Sequence, residues 1–147
     1  MYIENVTLDT VDKVVPLFDG YRQFYGQQEN KQAAQQFLED RISKGESIIF
    51  IAFVEGEAAG FVQLYPIFSS VSLKRAYILN DLYVDPRFRK QGAGKQLMEK
   101  SFEYCEENDA RFVALETAKD NVQAQKLYEQ MGMTQEEMLH YSKVWEK

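Results

Sequence analysis

The sequence predicts a mixed α/β domain, of the α+β kind, built on one mixed central sheet. Three observations carry that expectation: apolar stripes at helical spacing, short β-rich runs bounded by Gly and Pro, and the order in which the two alternate. The chain has 147 residues, 45% of them apolar, with 10 Phe and 9 Tyr. That composition is too apolar for a disordered chain, and the length suits one domain spanning 1–147. No Pro- or Ser-rich linker, low-complexity tract or internal repeat marks a boundary.

Taken in order, residues 2–7 read as a strand, and Thr7 or Asp9 is placed to cap a helix carrying Val11, Val14, Val15 and Phe18 on one face. A second helix is expected over Lys31–Lys44, with Ala34, Phe37, Leu38 and Ile42 inward and Gly45 ending it. The β-rich runs Ser47–Val54 and Ala58–Tyr65 are joined by Glu55-Gly56-Glu57, which suits a hairpin, and Pro66 is expected to stop the second run. A third run, Arg75–Val84, stops at Asp85-Pro86. Over 92–108, Leu97, Met98, Phe102 and Cys105 form one helical stripe. Phe112–Glu116 is a short apolar strand. Asn121–Met131 reads as a helix with Ala124, Leu127, Tyr128 and Met131 at helical spacing and Gly132 just past its end, and a last strand is expected over Glu137–Trp145.

Charge and cysteine content exclude several classes. With 17 Lys and Arg against 23 Asp and Glu, the formal charge is −6. A broad nucleic-acid-binding or anionic-membrane-binding surface needs the opposite excess, so neither partner is expected. Cys105 is the single cysteine, which rules out an intramolecular disulfide and a cysteine-rich zinc cluster. The longest apolar run, Ile48–Val54, is far short of the ~20 residues a spanning helix needs, and Met1 leads into no signal-peptide pattern. A cytoplasmic protein is expected.

The most informative stretch runs from Leu82 to Lys95. A strand enters a loop containing Gly92 and Gly94, and a helix opens at the second glycine. Such a loop can expose several backbone N–H groups at the positive end of a helix, where a phosphate is favoured. Residues 86–95 hold Arg87, Arg89, Lys90 and Lys95 and no acid, leaving a formal −10 on the remainder. The pattern is neither the dinucleotide fingerprint nor a P-loop.

The spacing Arg89-x-x-Gly92-x-Gly94 resembles the R/Q-x-x-G-x-G/A signature of the GNAT (GCN5-related) N-acetyltransferase superfamily. The resemblance extends upstream to Leu82-x-Val84-x-Pro86 and downstream to Asn121-x-x-Ala124-x-x-Leu127-Tyr128-x-x-x-Gly132. It implies the acyl-CoA N-acyltransferase fold, a mixed sheet of six to seven strands flanked by about four helices, and an enzyme that uses acetyl-CoA without a metal. In family terms Arg89, Lys90, Gln91, Gly92, Ala93, Gly94 and Lys95 would bind the pyrophosphate. Leu82 and Val84 would pair through their backbone with pantetheine, and Asn121 would contact the cofactor arm. Tyr128 would protonate the departing thiolate, since a phenol with pKa near 10 is protonated at neutral pH. Cys105, on an apolar stripe, reads as core rather than nucleophile.

Direct transfer requires a neutral amine, so a base or a water relay must take its proton. Many family members use a Glu on the strand before the loop. The stretch Tyr77–Val84 is similar to that strand in diamine acetyltransferases and in small fungal histone and amine acetyltransferases, and in the diamine enzymes a Glu stands where this chain has Asn80. Asn80 can orient an amine but cannot accept its proton. Asp81 is the nearest carboxylate, as base or substrate anchor or in a structural role; a regular strand would turn it away from Asn80, Leu82 and Val84, and a bulge would change that parity. Tyr21, Phe24, Tyr25, the loop Ile67–Leu73 and His140 with Tyr141 are further candidates for the amine pocket. His140 lacks any metal-ligand pattern. The expected acceptor is a small primary amine such as a polyamine or an amino-acid derivative. Protein lysine or N-terminal acetylation and noncatalytic acyl-CoA binding are the alternatives, and homodimers are common in the superfamily.

Overall fold

The computed structural model describes residues 1–146. Among them, five strands and four α-helices follow the order β1 (Tyr2–Asn5), α1 (Val11–Phe24), α2 (Lys31–Ser43), β2 (Ile48–Val54), β3 (Glu57–Ser69), β4 (Lys74–Val84), α3 (Ala93–Glu107), β5 (Val113–Ala114) and α4 (Val122–Gln130). A 3-10 turn at Pro86–Phe88 separates β4 from α3. The strands lie in sequence order, antiparallel except for the parallel β4–β5 pair, so the sheet is mixed.

The chain divides into two compact units, residues 1–116 and residues 117 onward. In the first, the inner strands are buried on both faces, which is why β2 reads as one continuous apolar run rather than an alternation. Ile49, Ile51, Phe53 and Phe61 pack with Val11, Val14, Val15, Leu17 and Phe18 of α1 and with Ala34 and Leu38 of α2. Phe50 and Tyr77 instead meet Tyr104 of α3, edge to face at 5.7 and 5.6 Å. Each such buried side chain contributes about 1.5–3 kcal/mol. Cys105 is part of this core, as its stripe position implies.

Neither Thr7 nor Asp9 caps α1. Thr10 is the N-cap residue, and its hydroxyl is engaged with the Thr7 N–H at 2.9 Å. At the other end of the helix, the buried Asp19 carboxylate accepts from the Asn30 N–H at 3.1 and 3.2 Å and from Arg22 Nη1 at 3.0 Å. Asn30 in turn caps α2 by accepting from the Ala33 N–H at 3.0 Å. One buried carboxylate thus ties the two helices together.

Three expectations are corrected. Pro66 does not end its strand: β3 continues to Ser69, with Pro66 opposite Tyr77. An antiparallel ladder alternates bonded and non-bonded pairs, and a proline is tolerated at the latter. Residues 137–145 form no strand, and Met138, Leu139, Tyr141, Val144 and Trp145 are exposed. A strand exists only within a ladder, and no described residue pairs with this segment. The sheet therefore has five strands rather than six or seven. β5 is also reduced to two residues of the expected five.

Candidate active site

The glycine loop is organised by its own side chains. Asp85 accepts from the Arg87 N–H at 2.9 Å and pairs with the Arg87 guanidinium at 3.3 Å, while the Asp85 N–H bonds Ala59 O at 2.8 Å. Arg89 folds back, its Nε donating to Val84 O at 2.9 Å and its guanidinium lying 5.9 Å from the Tyr83 ring centre. Lys90 and Gly92 both adopt left-handed backbone, at φ 65° and 87°. Gly92, not Gly94, is the residue from which α3 opens, and no side chain caps that helix. The first helical bond is Gln96 N–H to Gly92 O at 3.0 Å, so the amides of the preceding turn point out of the helix unpaired with it. Lys90, Gln91 and Lys95 are exposed around this end, and Ala93 is buried beneath it. The cradle suits a phosphate: outward N–H donors, the positive end of a 15-residue helix, and exposed cations at the rim.

β4 is positioned to present an open edge beside that cradle. It pairs with β5 only at Tyr77↔Val113 and Ile78↔Ala114. Beyond Ile78, the stretch that contains Leu82 and Val84 has β3 on one side and, among the described residues, no strand on the other. Gly60 lets β3 approach closely here, since a Cβ at that position would stand 2.8 Å from Tyr83 O.

The register of β3 against β4 slips beside Asp81. Gln63 faces Asp81 but Leu64 faces Leu79, so Asn80 is the extra residue of a β-bulge. The bulge brings the adjacent side chains of Asn80 and Asp81 to the same groove, which a regular strand could not do. Asp81 is 4% exposed. Its carboxylate accepts from Gln63 Nε2 at 2.5 Å and from Asn80 Nδ2 at 3.0 Å, and the Tyr21 hydroxyl stands near it. Gln63 Oε1 accepts from Ser47 Oγ at 2.6 Å, which completes a buried polar line across β2, β3 and β4.

Burial pushes the Asp81 carboxyl above the ordinary carboxylate range, and the hydrogen bonds from Gln63, Tyr21 and Asn80 only partly offset it. Burial and the neighbouring Asp81 charge raise Tyr21 well above a free phenol and Tyr65 to about 12, so both stay protonated donors. A raised carboxyl at the floor of a groove, with fixed donors around it, has the properties of a proton acceptor for an amine. The groove holds about 380 Å³.

Tyr25 stands at the C-terminal end of α1, exposed, with its ring 5.0 Å from that of Tyr21 and outside the groove lining. In the second unit, Asn121 is the N-cap residue of α4, accepting from the Ala124 N–H at 3.3 Å. Tyr128 is half-buried on the same helix. His140 is exposed, with its Nε2 3.2 Å from Ser142 Oγ. Sequence patterning alone does not single out Gln63 or Tyr65. The available signal for Gln63 was a lone amide inside the apolar run Ala58–Tyr65.

The model of the acetyltransferase (GNAT) family matches residues 14–133. This chain belongs to the GNAT acetyltransferase family. It is an N-acetyltransferase, and GNAT acetyltransferases use acetyl-CoA. It is 44% identical over 142 residues to an uncharacterized N-acetyltransferase of Bacillus subtilis, covering 96% of this chain and 95% of that one. The crystal structure of a probable acetyltransferase superimposes at TM-score 0.93 with 38% identity, over 100% of this chain and 99% of the other. A ribosomal-protein-alanine N-acetyltransferase from Brucella melitensis shares the fold at TM-score 0.81 and 22% identity, over 99% and 100% of the two chains. No helix of this GNAT enzyme, among the described residues, is long and apolar enough to cross a membrane.

Proposed function

We propose that this GNAT enzyme is a cytoplasmic, single-domain N-acetyltransferase that moves the acetyl group of acetyl-CoA to a primary amine of a small molecule, by direct attack in a ternary complex. The observation that carries the reading is Asp81, a buried carboxyl in the lining of a groove, held by Gln63 and Asn80 with Tyr21 nearby. Asp81 takes the proton from the incoming ammonium, and Asn80 orients the amine. The lone pair so freed attacks the thioester carbonyl. Arg89, Lys90, Gln91, Gly92, Ala93, Gly94 and Lys95 hold the pyrophosphate on the uncapped end of α3. Leu82 and Val84 offer their open backbone edge to pantetheine, and Asn121 contacts the arm. Tyr128 returns a proton to the departing thiolate.

Direct transfer is favoured over an acyl-enzyme because the only thiol is a poor nucleophile. Cys105 is 6% exposed, and burial pushes its pKa up to about 11. The test is a panel of primary amines incubated with acetyl-CoA, reading release of free CoA thiol. Turnover of small amines supports the reading. Turnover confined to lysine or N-terminal peptides would instead place the enzyme among protein acetyltransferases, and absence of CoA binding would overturn the assignment of the glycine loop.

A further inference from the structure

The groove over Asp81 also bears on which amine enters it, an inference that rests on the acetyl-acceptor reading above. Its lining is largely aromatic: Phe18 and Phe37, stacked at 6.0 Å, together with Tyr21 and Tyr65. Asp81 is the single acidic side chain in the lining. The remaining charge is Arg22, whose Nη1 bonds Asp19 at 3.0 Å and Gln28 O at 3.4 Å. Asp19 itself is wholly buried and does not line the groove, and it is committed to Arg22, Gln23 and the Asn30 N–H, so it offers no carboxylate to a ligand there. Arg41 adds positive potential near Tyr65.

This inventory discriminates among amines. One ammonium is served by Asp81 and by the electron-rich faces of the rings. A second ammonium on the same molecule would find no further carboxylate in the lining and would be desolvated without a partner. A carboxylate on the carbon next to the amine would meet Asp81. We propose that the acceptor is a monoamine with an aromatic or apolar body and no adjacent carboxylate, in place of a polyamine or an α-amino acid. The aromatic walls receive the body while Asp81 receives the head.

The experiment compares 2-phenylethylamine, spermidine and lysine on the full-length protein, by calorimetric titration and by kcat/KM at saturating acetyl-CoA. Phenylethylamine is expected to bind at least tenfold tighter than spermidine or lysine and to exceed them at least a hundredfold in kcat/KM. Phe37→Ala removes a half-exposed wall residue, and is expected to weaken phenylethylamine about tenfold with spermidine changed less than threefold. Equal or tighter binding of spermidine or lysine overturns the proposal, as does an equal loss for all three amines in Phe37→Ala. A binding preference for phenylethylamine without acetylation of any amine would uphold the groove assignment and overturn the catalytic reading, so the two failures are distinguishable.

Discussion

Replacing Asp81 by Asn keeps the shape of the groove floor and removes its capacity to accept a proton. The carboxylate receives two donors, Gln63 at 2.5 Å and Asn80 at 3.0 Å, with the Tyr21 hydroxyl nearby. An amide at 81 can keep most of this network, because Gln63 can turn over. Its Oε1 then accepts from the new amide while its Nε2 donates to Ser47, whose hydroxyl rotates to accept. At most one bond is lost, about 1 kcal/mol, and the removal of a desolvated charge offsets it. At about 2.1 cal/mol/K per residue, 147 residues give roughly 3 °C of Tm per kcal/mol, so Asp81→Asn is expected to melt within about 3 °C of the native protein. Turnover is expected to fall roughly 10²- to 10⁴-fold, about 3–5 kcal/mol of barrier. The pH dependence has a defined sign. The Asp81 carboxyl lies higher folded than unfolded, so its contribution to stability is present below the unfolded pKa and is lost as pH rises through the folded one. Activity runs the opposite way, rising as Asp81 ionises, and this acid limb should vanish in Asp81→Asn. Thiol-release kinetics across pH, paired with thermal melts, decide the matter. An Asn variant that keeps more than about a tenth of native kcat with its acid limb intact would refute Asp81 as the proton acceptor.

Further outcomes can be checked with the same assays. Tyr128→Phe should reduce kcat by roughly 10²- to 10⁴-fold with CoA affinity, measured by calorimetry, nearly unchanged. Arg89→Ala removes both the clamp on Val84 O and a cation beside the cradle, and should weaken CoA by roughly 10- to 100-fold, the scale of one charge-assisted bond. Gly60→Ala would force a methyl to 2.8 Å from Tyr83 O and 3.2 Å from Val84 Cγ2, and should cost about 1–3 kcal/mol, read as a Tm lower by roughly 3–9 °C.

The parts of this molecule that were legible in its sequence are those with local causes. The stripes Val11, Val14, Val15 and Phe18, and Leu97, Met98 and Cys105, announced buried helix faces, and the spacing Arg89-x-x-Gly92-x-Gly94 announced the cradle. Features set by pairing between strands were not legible. The parity of Asp81 depends on how β3 sits against β4, and no residue of β4 alone fixes a register slip between Gln63 and Leu64. Pro66 misled for the same reason, because its tolerance depends on which rung of the ladder it occupies. The alternation of Leu139 and Tyr141 satisfies the local rule for a strand, but pairing is not a local property.

The conformation of Gly92 also constrains what mutation can do to this enzyme. A helix start is normally stabilised by Ser, Thr, Asp or Asn, whose side chain bends over the first amides from a β-region backbone. At φ 87° and ψ 7° that side-chain route is geometrically closed. A capping residue introduced at 92 would meet left-handed strain before it could shield the amides, so no single exchange there yields a self-capped, thermally hardened helix. The open end of α3 is thereby protected from a common path of stabilisation, the introduction of a helix cap.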